Sequence, residues 1–141
     1  MIYDLIYLVD DLDMVNHLHR ILLKRFGAEE RVKVFTDPKR ALGDLRTRSG
    51  EDLRILILLD INMPEMSGFE FLDRMVAGFF PYNIDVVVVT SSLSGSDRAL
   101  ANRYPRYVRD FVVKPLQMEK LGDILSGDSG SDRTFPESGF G

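Results

Sequence analysis

Five short apolar runs, separated by stretches of helical period, constrain this 141-residue chain more than any other feature. They are Leu5 to Val9, Val32-Lys33-Val34-Phe35, Ile55 to Leu59, Val86 to Val89 and Phe111-Val112-Val113. Such runs, alternating with helix-length segments, form βα units on a parallel sheet. The first, third and fourth are almost uninterrupted, as expected of strands covered on both faces. The second alternates through Lys33 and the fifth begins with Arg109 and Asp110, so these two belong at the edges. The fold expected is α/β, a doubly wound five-stranded parallel sheet of order 2-1-3-4-5 with helices on both faces.

The helical stretches carry their own punctuation. The first has apolar positions at Leu12, Val15, Leu22, Leu23 and Phe26, with Gly27 as its stop. The second opens at Asp37-Pro38, a capping acid followed by a proline preset for the first turn, and has the stripe Ala41, Leu42, Leu45. The third opens on the capping box Ser67-x-x-Glu70 and has the stripe Phe69, Leu72, Val76, Phe79. The fourth, Ser96 to Arg103, is short and poorly striped, and the fifth is expected over Gln117 to Leu125. Residues 126–141 hold four Gly, four Ser and a Pro, too little apolar surface to order a segment, so a domain over 1–125 is expected to end in a flexible Gly/Ser-rich tail.

Composition removes several function classes. The chain has no Cys and only two His, which excludes disulfides, thiolate chemistry and a Cys- or His-rich metal site. A net charge of −4 argues against a nucleic-acid partner held by a basic surface. No apolar run nears the roughly 18 residues of a membrane span. Met1-Ile2-Tyr3-Asp4 has no basic start of a secretory signal, so the expected compartment is the cytoplasm.

Ligands of open parallel sheets bind beyond the carboxyl ends of the strands. The residues there are Asp10 and Asp11 after the first run, Asp60 after the third, Thr90 and Ser91 after the fourth, and Lys114 and Pro115 after the fifth. Three neighbouring acids repel unless a cation joins them. Hard oxygen donors at a partly open site suit Mg²⁺, and Asn62, two residues beyond Asp60, can add its backbone carbonyl. A carboxylate nucleophile, a metal and the Lys114 ammonium together suit the receipt of a phosphoryl group on Asp60.

The quartet Leu8-Val9-Asp10-Asp11, Leu58-Leu59-Asp60-Ile61-Asn62-Met63-Pro64 with Gly68, Val89-Thr90-Ser91 and Val113-Lys114-Pro115 resembles the response-regulator receiver domain of two-component signalling, the chemotaxis-regulator type with a flavodoxin-like sheet. The resemblance spans residues 3 to about 125. It implies that Asp60 is the phosphoacceptor, with catalytic support from Thr90 and Lys114. It also implies a Mg²⁺ site made by Asp10, Asp11, Asp60 and the Asn62 carbonyl, and a cis Lys114–Pro115 bond. The small Ser91 leaves room for a donor histidine. Thr90 and Phe111 would form the switch: charge on Asp60 draws Thr90 inward and Phe111 fills the space behind it. The implied donor is a sensor histidine kinase or a histidine phosphotransfer protein. The product is a stand-alone phosphoprotein that signals through a changed protein-binding face and catalyses only its own phosphorylation and dephosphorylation. A phosphorelay intermediate and an excised receiver of a hybrid histidine kinase share the same residues. An aspartate-nucleophile phosphatase needs an acid where this chain has Asn62, and an FMN binder needs a hydroxyl- and glycine-rich loop where it has Asp10-Asp11.

Blander roles compete at single positions. Asp11 has the chemistry of a helix cap and Asp13 that of a first-turn acid beside a helix dipole. His19 is expected to be partly buried, His17 to face solvent, and neither to ligate metal. Arg103, Arg106 and Arg109 form a local basic cluster, either solvated or turned toward an acidic partner.

Overall fold

The computed structural model describes residues 1–128. Five parallel strands, β1 (Leu5–Val9), β2 (Val32–Phe35), β3 (Ile55–Leu59), β4 (Ile84–Thr90) and β5 (Val108–Val113), lie in the order β2-β1-β3-β4-β5. The helices are α1 (Asp13–Arg25), α2 (Pro38–Thr47), α3 (Gly68–Ala77), α4 (Gly95–Ala101) and α5 (Met118–Ser126), with a 3₁₀ turn over Glu29–Arg31. No helix among the described residues is long and apolar enough to cross a membrane.

Alternation along the strands builds two cores. Ile6, Leu8, Leu56, Leu58, Val87 and Val89 face Leu23 of α1 and Leu121, Ile124 and Leu125 of α5. Tyr7, Val9, Ile57, Leu59, Val86 and Val88 face the stripe of α2 and residues Phe71, Leu72 and Met75 of α3. Every residue of β3 and β4 is buried, while β2 is only half covered. Each fully buried Leu, Ile or Val stabilises the fold by about 1.5–3 kcal/mol, which makes these strands its centre.

Two strands exceed their apolar runs because charged residues inside them are neutralised. Asp85 of β4 is buried and accepts from the Tyr3 hydroxyl at 2.7 Å, from Arg54 at 3.2 Å and from Arg109 Nε at 3.0 Å. Asp110 of β5 pairs with Lys120 at 2.5 Å. The β4–β5 ladder pairs Val86 with Val108 but Val87 with Asp110, so Arg109 is the extra residue of a bulge.

The helix faces differ in part from the expected stripes. Asp37 caps α2 by accepting from Lys39 N–H, and Ser67 caps α3 by accepting from Glu70 N–H. The inward face of α3 is Gly68, Phe71, Leu72 and Met75, one position from the stripe read in the sequence, and Val76 and Phe79 are exposed. The cause is Gly68, whose backbone lies directly on Asp60 and Ile61 and so sets the rotation of the helix. In α1 the inward residues are Asn16, His19 and Leu23, whereas Leu12 is its exposed N-cap. The helix α5 runs one residue past Leu125, and Gly127 closes it in the left-handed region at φ 85°. Residues 126–128 therefore belong to the helix and its cap rather than to a tail, and the remainder of the expected tail, 129–141, lies outside the described residues.

Candidate metal and phosphoryl site

Short turns deliver the polar residues to one end of the sheet. Beyond β1, Asp10 is held on both its main chain and its side chain. Its N–H donates to the Phe35 carbonyl at 3.2 Å, and its own carbonyl accepts from Asn16 Nδ2 at 2.9 Å. Its Oδ1 accepts from Leu12 N–H at 2.9 Å and its Oδ2 from Lys114 Nζ at 2.8 Å. Asp10 thus closes the turn that leads into α1, whose N-cap Leu12 takes no side-chain cap, so Asp11 does not fill the capping role its chemistry offers. Asn16 pins two strand ends through one amide, donating also to the Phe35 carbonyl at 3.3 Å. An Asn inside an apolar helix face was the only sequence signal for it.

Asp60 follows β3 and is almost fully buried. One carboxylate oxygen from each of Asp10, Asp11 and Asp60 lies within 4.8 Å of the others. Lys114 Nζ stands 3.9 Å from Asp60 Oδ1, so the ammonium leans on Asp10 and reaches Asp60 more distantly. Asn62 N–H donates to Asp60 Oδ1 at 3.3 Å. Burial pushes the Asp60 carboxyl above the ordinary carboxylate range; Lys114 and the Asn62 N–H pull it down, and Asp10 and Asp11 push it up again. The Lys114–Pro115 peptide bond is cis.

Thr90 ends β4 with no solvent exposure. Its hydroxyl oxygen accepts from Ser92 N–H at 3.1 Å and from Asn62 Nδ2 at 3.4 Å. Asn62 therefore touches both Asp60 and Thr90, where the sequence pointed only to its carbonyl. Phe111 already lies inward, 5 % exposed, with the Arg98 guanidinium 5.1 Å from its ring centre. Of the basic cluster, Arg109 is tied to Asp85 and to the Pro105 and Arg106 carbonyls, so only Arg103 and Arg106 stand out to solvent.

The donor set fits a hard divalent cation. Three carboxylates face one ammonium, so the pocket stays anionic, and all its ligand atoms are oxygens. Asp10, Asp11 and Asp60 would hold Mg²⁺.

Beneath the site, His19 is 7 % exposed, as its place on α1 led one to expect, and His17 is exposed. Burial lowers the His19 pKa from 6.5 to about 4, with Lys114 adding to the effect and Asp10 opposing it. The folded state holds it neutral while the unfolded chain protonates it. Its contribution is therefore fully present above pH 6.5 and is lost as pH falls toward 4, a change of about 3 kcal/mol. Urea unfolding at several pH values should show the wild type weakening over that interval, and His19→Leu should flatten this part of the profile.

A family model for the response regulator receiver domain matches residues 6–126. Among curated relatives, the probable methanogenesis regulatory protein FilR2 of Methanothrix harundinacea is 33% identical over 123 residues, covering 83% of this chain and 76% of that one. A chemotaxis protein CheY homolog of Campylobacter jejuni is 29% identical, covering 86% of this chain and 92% of its own. A solved two-component response regulator from Cytophaga hutchinsonii is 28% identical, with a TM-score of 0.75 over 91% of this chain and 98% of that one. With the sheet order and the strand-end residues in agreement with these matches, the chain belongs to the response regulator receiver domain family of two-component systems.

Proposed function

We propose that this chain is a cytoplasmic receiver that accepts a phosphoryl group on Asp60 from a sensor histidine kinase or a histidine phosphotransfer protein, with Mg²⁺ as cofactor. The observation that carries the reading is the meeting of the Asp10, Asp11 and Asp60 carboxylates within 4.8 Å, with Lys114 between two of them.

The reaction is an in-line displacement. An Asp60 oxygen forms a bond to phosphorus, the P–N bond of the donor phosphohistidine breaks, and the imidazole recovers its ring nitrogen with a proton. A bound Mg²⁺ supplies charge neutralisation for the transferred oxygens. The protein's residues do the rest. Burial keeps the Asp60 carboxylate poorly solvated and therefore reactive. The Asn62 N–H orients it by holding Oδ1. The Lys114 ammonium needs only to shift from Asp10 toward Asp60 to pair with a phosphoryl oxygen. The Thr90 hydroxyl, held by Ser92 N–H and Asn62, has its own proton free to donate to another.

The donor has a place to rest. A groove of about 540 Å³ between α1 and the segment after β5 is lined by Val15, Leu18, Ile21, Lys114, Pro115 and Leu116. It adjoins the site through Lys114. The chain turns over no external substrate on this reading; the chemistry is confined to Asp60, and the output is a changed protein-binding face. Onward transfer to a second histidine would make it a relay with the same residues.

Incubation with acetyl phosphate and Mg²⁺ should add one phosphoryl group by intact mass, acid-stable and base-labile. EDTA should prevent the addition. Lys114→Ala should slow it and weaken any response of the Phe111 environment. Equal labelling with and without Mg²⁺ would count against the reading.

A further inference from the structure

Phe79 is the most exposed large apolar side chain among the described residues, 86 % accessible, and its φ is 53°. A bulky residue in the left-handed region strains the backbone, and helix ends ordinarily place Gly there. Here Gly78 comes one residue earlier, because a Cβ at that position would meet the Phe80 ring at 2.8 Å. The chain thus strains its backbone to hold an aromatic ring in water, and neither feature helps the isolated fold.

The surroundings give that ring a context. Tyr82 is 62 % exposed in the same α3–β4 connection. Two guanidinium groups flank it: Arg46 of α2 lies 5.8 Å from the Phe80 ring centre, and Arg106 lies 5.1 Å from that of Tyr82. Neither has a carboxylate partner among the described residues. Acids on adjoining elements are engaged already, Asp73 by the Tyr104 hydroxyl at 2.6 Å and Glu51 by Arg48 at 3.4 Å. Stacked guanidinium groups are pre-organised for carboxylates, and exposed aromatics with Arg are the usual anchors of protein interfaces. The corner lies where α3 ends and β4 begins, at the opposite end of the sheet from Asp60.

We propose that the α3–β4 corner is a docking surface for an acidic protein segment that carries an apolar anchor. Phe79 and Tyr82 supply the apolar contact, and Arg46 and Arg106 the carboxylate contacts. Local charge selects this occupant: the two guanidinium groups beside the rings match carboxylates, whereas a second copy on the same patch would set Arg against Arg. The surface is independent of the phosphoryl chemistry and leaves the Asp60 end open.

The test is fluorescence anisotropy of the full chain with a labelled peptide of glutamates flanking one tryptophan, at low salt. Saturable binding is expected, weakened on the order of tenfold by Arg106→Ala and by Phe79→Gly. Phe79→Gly should at the same time raise Tm, because glycine accepts the positive φ, so its binding loss is not a folding loss. Val34→Ser, on the exposed edge strand, should bind as the wild type does. Equal binding by all variants, or equal binding of the lysine version of the peptide, would overturn the proposal. So would concentration-dependent self-association that Phe79→Gly abolishes, which would assign the patch to a second copy.

Discussion

Asp60→Asn should take up no phosphoryl group from acetyl phosphate under conditions that label the wild type fully, yet it should be the more stable protein at neutral pH without Mg²⁺. Both results come from the same burial. The amide retains an oxygen for the Asn62 N–H, so the local fold keeps its contact. It lacks the nucleophilic carboxylate, so the P–O bond cannot form. The stability gain follows from the raised pKa of Asp60, whose first cause is burial. A carboxyl whose folded pKa exceeds its unfolded 3.8 binds protons more readily in the folded state, so its ionised form is a burden at pH 7. The advantage of Asp60→Asn should shrink as pH falls through the folded pKa and vanish below about 3.8, where both states of the wild type are protonated. Added Mg²⁺ should narrow the gap at pH 7, since binding to the native site stabilises the wild type by mass action and the variant less. Chemical unfolding across pH, with and without Mg²⁺, reads all three effects.

Gly68→Ala should damage stability and chemistry together. A Cβ at position 68 would lie 2.7 Å from the Asp60 carbonyl oxygen and 2.7 Å from Ile61 Cα. Both are backbone atoms at the root of the site and cannot swing aside. Overpacking of this kind costs roughly 1–3 kcal/mol, and relief requires α3 to move away from the segment that carries Asp60. Slower phosphoryl uptake should accompany the lower urea midpoint. Gly43→Ala is the control: nothing lies within 4 Å of its Cβ position in α2, and Ala there should stabilise by roughly 0.5–1 kcal/mol. A Gly68→Ala protein as stable and as readily phosphorylated as the wild type would remove Gly68 from the site's construction.

Strand order and strand-end chemistry were legible because both follow from local runs. Uninterrupted apolar segments marked β1, β3 and β4, and Asp10, Asp11, Asp60, Thr90 and Lys114 each follow an apolar run as its first polar residue or that residue's neighbour, with Asn62 two residues beyond Asp60. Phe111 is different: it lies within β5, and only the receiver resemblance pointed to it. What was not legible depends on distant partners. Asp85 and Asp110 fell outside the apolar runs, since nothing nearby in sequence shows that Arg54, Arg109 and Lys120 neutralise them. Arg109 sits beside Arg106 in sequence but points to the opposite end of an ion pair rather than to solvent. The rotation of α3 was hidden for a similar reason: a backbone contact at Gly68, not the apolar period, decides which face turns inward. Asn16 was passed over because its place on an apolar helix face is a weak signal until its two carbonyl partners are known. The buried resting place of Phe111, under Arg98, was equally invisible, since a seven-residue helix supplies the arginine.

The most direct measurement is to find which side chain holds the phosphoryl group. Treating the acetyl-phosphate-labelled chain with borohydride reduces an aspartyl phosphate to homoserine, and tandem mass spectrometry then places that residue in the sequence. A single reduced site at position 60, formed only with Mg²⁺ present, is the predicted result. Reduction at Asp10 or Asp11 instead, or none despite full exposure to the donor and the metal, would contradict the assignment of Asp60 as the acceptor of this site.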